Sequence, residues 1–157
     1  MIIIKGESGS GKSTAALRFI ENHKERSLYI LMEKDCRLSK ILYSEGFDYA
    51  IYRNGYLLDI KYRILERGGL MSNDLKYVVV DCLNLIKDHK SYHDKIAELE
   101  NIERDFGLQI VLVMNTLIMK NIKSQKTEFR QFGEIMETKR HKFFSPREIT
   151  SILPKES

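Results

Sequence analysis

The sequence predicts an α/β fold: a mostly parallel central sheet with helices on both faces. Short β-branched runs alternate with amphipathic segments through most of the 157 residues, and that alternation belongs to sheets whose crossovers are helical. One run, Tyr77–Val80, is apolar at every position, as a strand buried on both faces must be. The strand ends are the third observation. Lys5/Gly6, Glu33, Asp81 and Asn115 would gather a glycine-rich loop, two acids and an amide at the carboxyl edge, where such sheets bind ligands.

Taken in order, Met1–Lys5 is a β-branched run that stops at glycine and reads as a buried first strand. Thr14–Arg26 carries Ala16, Leu17 and Ile20 at helical spacing with a charged opposite side. Ser27–Met32 is a second apolar strand leading to Glu33 and Asp35, and Arg37–Glu45 is a helix closed by Gly46. Phe47–Tyr52 alternates as a third strand, and the amphipathic helix Tyr56–Arg67 is expected to stop at Gly68-Gly69. After the Tyr77–Val80 strand and Asp81, Ser91–Phe106 has a full set of helix signals: a capping serine, Asp94 three residues later and Gly107 at the end. Leu108–Met114 is a fifth strand running to Asn115. Ile135–Thr138 and Ile149–Leu153 could be late strands, while Ser145-Pro146-Arg147-Glu148 has the spacing of a short helix start.

With 43% apolar and 31% charged side chains the composition excludes disorder, and the length suits one domain over residues 1–157. No apolar run approaches the ~20 residues of a membrane helix. Met1-Ile2-Ile3-Ile4 is too short and wrongly flanked for a signal peptide, so a cytoplasmic protein is expected. Cys36 and Cys82 lie in or beside apolar stretches and read as reduced core thiols. The net charge of +4 is local: Lys120 to Lys142 holds seven Lys/Arg against three acids, so this one segment carries the whole excess. A basic segment of this kind is the usual electrostatic sign of a polyanionic partner.

Gly6-Glu7-Ser8-Gly9-Ser10-Gly11-Lys12-Ser13 fits G-x-x-x-x-G-K-[ST] in full, and Thr14 extends it. The glycines let successive backbone N–H groups turn inward around a phosphate, Lys12 reaches β/γ oxygens, and the Ser13 hydroxyl ligates Mg²⁺. A helix start immediately after adds its dipole and its unpaired N–H groups. Asp81, an acid at the end of an apolar strand, is suited to hold Mg²⁺ through its water shell opposite Ser13. Glu33 has the right chemistry and place to orient and deprotonate a water in line with a γ-phosphate, with Asp35 as a nearby competitor.

Gly6–Thr14, the strand ending at Glu33, Tyr77–Asp81 and Ile110–Asn115 together resemble the RecA-type ATPase core shared by DnaB-like helicases, KaiC and RadA-like proteins. The resemblance covers roughly residues 1–143, with 144–157 as a C-terminal extension. It implies a three-layer P-loop NTPase fold, ATP and Mg²⁺ as ligands, Glu33 as the activator of the attacking water and Asn115 as a γ-phosphate sensor. Ile135–Phe143 is similar to the late family strand with a Lys/Arg pair, here Lys139 and Arg140, that reaches the γ-phosphate of a neighbouring subunit. A solvated basic strand or a nucleic-acid contact are the other readings of that pair. The family works as homo-oligomeric rings or filaments, often with a loading partner. The extra domains usual in it are not expected here, as in the stripped-down versions of phages and mobile elements.

The family's second DNA-binding loop would fall on Thr116–Glu128, polar and basic, with Lys120, Lys123 and Lys126 in it and Arg130 just beyond. With no aromatic in that stretch, contacts would go mainly to backbone phosphates, DNA favoured, with weak sequence specificity. A solvated connection is the plainer alternative. For the whole chain, a P-loop small-molecule kinase and an ATP-gated assembly module with little turnover remain the competing readings. His89 and His93 read as surface histidines without a third metal ligand. Tyr43, Tyr49, Tyr52, Tyr56 and Tyr62 read as packing the sheet–helix boundary or an oligomer face.

Overall fold

The computed structural model describes residues 1–6, 9, 11–70, 74–115 and 134–138. Six strands form one sheet: β1 (Ile2–Gly6), β2 (Ser27–Leu31), β3 (Asp48–Ile51), β4 (Tyr77–Asp81), β5 (Gln109–Asn115) and β6 (Glu134–Thr138). Their order is β3-β2-β4-β5-β1-β6, and every pairing is parallel. Four α-helices connect them: α1 (Lys12–Ile20), α2 (Cys36–Ser44), α3 (Leu57–Leu70) and α4 (Tyr92–Phe106). This is the expected fold class, a parallel α/β sheet with helices on both faces.

The layers follow from side-chain alternation along each strand. Ile2, Ile4, Tyr29, Leu31, Val79, Val111 and Val113 meet Ala15, Ala16 and Ile20 of α1 and Leu38 and Leu42 of α2. Ile3, Leu28, Ile30, Val78, Val80, Ile110 and Leu112 meet Leu57, Ile60 and Ile64 of α3 and Ile96, Leu99 and Ile102 of α4. Handedness accounts for which helix takes which face. From β1 to β2 to β3 the chain moves toward one edge through α1 and α2, and from β3 to β4 to β5 it moves back through α3 and α4. Right-handed crossovers in opposite directions must lie on opposite faces.

Register brings the strand ends level. Gly6 stands opposite Asn115 on one side and Thr138 on the other, and Leu31 stands opposite Asp81. The Met32 N–H donates to the Asp81 carbonyl at 2.8 Å, so the residue before Glu33 is tied directly to the end of β4.

Several expectations need correction. The first helix ends at Ile20 and gives way to a 3₁₀ segment, Glu21–Arg26, in which His23 leaves the helical region. None of Glu21–Arg26 is buried, so no apolar face holds the segment to the α-helical period. In α3 the chain continues through Gly68 and Gly69 to Leu70. Glycine weakens a helix by about 1 kcal/mol without blocking it, and Arg67 anchors the final turns through Asp48 and the Glu25 carbonyl. The cysteines are not core thiols: Cys36 is exposed at the start of α2 and Cys82 is half-buried. The tyrosine reading needs no such change: Tyr49 and Tyr52 pack against the two cores, and Tyr43, Tyr56 and Tyr62 are exposed, as the oligomer-face alternative allows. Ile149–Leu153 and Ser145–Glu148 lie outside the described residues.

Candidate functional site

The described residues of the G-x-x-x-x-G-K-[ST] segment, at the start of α1, face the ends of β2, β4 and β5. Between them lies a cleft of about 520 Å³. Gly9, Gly11, Lys12, Ser13 and Thr14 form one wall. Glu33, Asp35 and Arg37 come from the β2–α2 connection and the first turn of α2, Asp81 ends β4 with Cys82 and Asn84 just after it, and Asn115 closes β5. Gly11 caps α1 at φ 92°, a conformation that costs glycine least. The first turn of α1 holds no acidic side chain, so no fixed negative charge there opposes an anion at the positive end of the helix dipole.

Asp81 is the centre of the hydrogen bonding. Its Oδ2 accepts from Ser13 Oγ at 2.6 Å and from Tyr29 Oη at 2.7 Å. Burial pushes the Asp81 carboxyl above its ordinary pKa, while the two hydroxyl donors and the Lys12 charge pull it back. The Tyr29 phenol is held well above its usual value, first by burial and then by the Asp81 charge. The Asp81–Cys82 peptide is cis. Burial, with the charges of Asp81 and Glu33, pushes the Cys82 thiol up to about 12, and its Sγ donates to Asn84 Oδ1 at 2.7 Å.

A short 3₁₀ turn, Leu83–Leu85, follows, too brief to carry a periodic signal in sequence. It is fixed from α4, where the buried Lys95 ammonium donates to the Ile86 carbonyl at 2.6 Å.

Of the residues expected at the site, Gly9, Gly11, Lys12, Ser13, Thr14, Glu33, Asp81 and Asn115 line one cleft, and Gly6 ends β1 beside Asn115. Glu7, Ser8, Ser10, Lys120, Lys123, Lys126, Arg130, Lys139 and Arg140 lie outside the described residues. Sequence reasoning missed Tyr29, Arg37 and Asn84. Tyr29 left a signal: it is the one phenol inside a strand that is aliphatic after Ser27, and a buried phenol needs an acceptor. Among the described residues no group of three or more His, Cys, Asp or Glu is placed to hold a metal by itself. A cation here would depend on Ser13, Asp81 and its own ligand's oxygens.

Among the described residues no helix is long and apolar enough to cross a membrane. No protein-family model matches the chain, and no curated protein does. Among solved structures, one described as the crystal structure of the RadB recombinase is 16% identical, with a TM-score of 0.45. The match covers 73% of this chain and 60% of that one. At that score and identity the likeness adds nothing to what the cleft's own residues say.

Proposed function

We propose that the chain binds ATP with Mg²⁺ in this cleft and hydrolyses it, as a RecA-type ATPase that acts on nucleic acid as a homo-oligomer. One observation carries the reading. The Ser13 hydroxyl and Asp81 carboxylate meet at 2.6 Å on the wall of the cleft that Lys12, Glu33 and Asn115 also line. Hydroxyl and carboxylate are the hard oxygen donors that Mg²⁺ takes, so the residues fit the ion. Mg²⁺ in such a site neutralises charge on the β- and γ-phosphate oxygens.

This chain's own residues then divide the work. Backbone N–H groups at the start of α1 and the Lys12 ammonium hold the phosphates. Ser13 and Asp81 hold the metal, Glu33 orients the attacking water and accepts its proton, and the Asn115 amide donates toward the γ-phosphate. Lys139 and Arg140 supply positive charge to the site of a neighbouring subunit, and Lys120, Lys123, Lys126 and Arg130 contact nucleic-acid phosphates.

The test is steady-state phosphate release against protein concentration, with and without single- and double-stranded DNA. The rate per subunit is expected to rise steeply with protein concentration and with DNA. Lys12→Ala should abolish it, and Glu33→Gln should still bind ATP while hydrolysing it ~10²–10⁴-fold more slowly, the range lost with a general base. A rate indifferent to DNA with a phosphorylated small-molecule product would make the protein a kinase. Tight binding without turnover at any concentration would make it a nucleotide-gated assembly module.

A further inference from the structure

We infer that Tyr29 is a positioning residue for the metal, holding the Asp81 carboxylate so that it and Ser13 present a preset pair of oxygen donors. The inference rests on reading the cleft as a Mg²⁺–nucleotide site. Tyr29 is fully buried in β2, with β3 on one side and β4 on the other. Its hydroxyl therefore has a fixed position and no water to turn to. It donates to Asp81 Oδ2 at 2.7 Å from the strand next to the one that carries Asp81. Ser13 donates to the same oxygen at 2.6 Å.

That shared acceptor has two consequences. Ser13 spends its proton on Asp81, which leaves its lone pairs as the part of the hydroxyl able to face a cation. Both donors converge on Oδ2, and among the described residues no hydrogen bond is made to Oδ1, so Oδ1 is the oxygen left for a metal's water shell. Without the Tyr29 hydroxyl, the carboxylate is held from one side only and can rotate about its Cβ–Cγ bond. Outer partners of this kind are worth about 10–100-fold in metal affinity.

The experiment measures the affinity of a fluorescent ADP in EDTA and across a Mg²⁺ titration, for the wild type and Tyr29→Phe. Tyr29→Phe removes one oxygen and keeps the ring. Its metal-free affinity should stay within about twofold of wild type while the Mg²⁺ concentration for half-maximal tightening rises about 10-fold. In an Asp81→Asn background the same change should leave the Mg²⁺ response where it was, because Tyr29 acts only through that carboxylate.

An unchanged Mg²⁺ midpoint in Tyr29→Phe, or a parallel loss of metal-free affinity, overturns the inference and leaves the site reading intact. If wild-type binding is indifferent to Mg²⁺, the site reading falls and this inference with it. Should Tyr29→Phe not fold, wild-type protein labelled with 3-fluorotyrosine carries the test. The resonance displaced by Asp81→Asn must shift when Mg²⁺ and ADP bind together and stay put with ADP in EDTA; no shift with Mg²⁺ rules the role out.

Discussion

At the scale of single residues, the cleft sets stability against function. The Asp81 carboxyl is held above its ordinary 3.8 by burial, so the folded chain keeps that proton more tightly than the unfolded chain does. Its ionised form then costs stability, starting as pH rises through the unfolded value and persisting at neutral pH. Asp81→Asn removes that cost. Its nucleotide-free Tm at pH 7 should equal or exceed that of the wild type, the gap should close in acid, and the extra stabilisation by Mg²⁺ with nucleotide should shrink. Differential scanning fluorimetry with and without Mg²⁺·ADP checks all three. Cys82 and Tyr29 predict an alkaline limb by the same linkage. Both are acids whose folded pKa is raised, Cys82 from 9.0 to about 12 and Tyr29 well above 10.0. The unfolded chain therefore loses these protons first, and stability falls as pH climbs past the unfolded thiol value. For Cys82 the loss is on the order of 1 kcal/mol by pH 10. Urea midpoints at pH 8 and 10 should show it, and Cys82→Ala should make the drop smaller.

At the scale of elements, the connections carry the tension that the strands do not. Gly55, between β3 and α3, has no room for a side chain: an added Cβ would lie 2.6 Å from Tyr52 Cβ and 2.8 Å from the Met32 methyl. Its carbonyl also accepts from Lys87 N–H at 2.8 Å, which ties this loop to the segment after β4. Gly55→Ala should cost about 1–3 kcal/mol, read as a lowered thermal midpoint. Lys95→Met should cost about 1.5–3 kcal/mol, since it strands the Ile86 carbonyl that the ammonium now satisfies. Neither constraint was legible in the sequence, because each joins residues that no periodicity links. The strands were legible: Ile2–Gly6, Ser27–Leu31 and Tyr77–Asp81 are buried on both faces, so hydrophobicity alone outlines them. The caps of α4 were legible too, with Ser91 Oγ accepting from Asp94 N–H at 3.1 Å and Gly107 at φ 62°. The end of α3 was not, since Arg63 and Arg67 reach Asp48 across the fold. At the site, residue type and spacing brought Gly9, Gly11, Lys12, Ser13 and Asp81 together in advance, and they line one cleft. Tyr29 signalled a need for an acceptor, but which acceptor could not be read, because its partner lies on a neighbouring strand 52 residues away.

At the scale of the whole molecule, the question is what ATP turnover in so small a chain would act on. The described strands and helices pack into two cores around one sheet, while the formal excess of +4 belongs to the stretch from Lys120 to Lys142. If Lys120, Lys123, Lys126 and Arg130 contact phosphates of a single strand, four phosphates are neutralised and about three counterions are released. The logarithm of the association constant should then fall with the logarithm of salt at a slope of about −3. Affinity should drop about eightfold for each doubling of salt. Replacing these residues by glutamine one at a time should flatten the slope by about 0.7 per charge, and the quadruple variant should lose nearly all of it. Because Thr116–Glu128 holds no aromatic side chain, strands of different base composition should bind alike once their length is matched, for want of a stacking platform. Fluorescence anisotropy with labelled oligonucleotides measures both quantities. A slope that survives the quadruple substitution would place the nucleic acid elsewhere on the molecule. A strong base preference would require direct contacts to bases, which lysine and arginine side chains aimed at phosphates do not make.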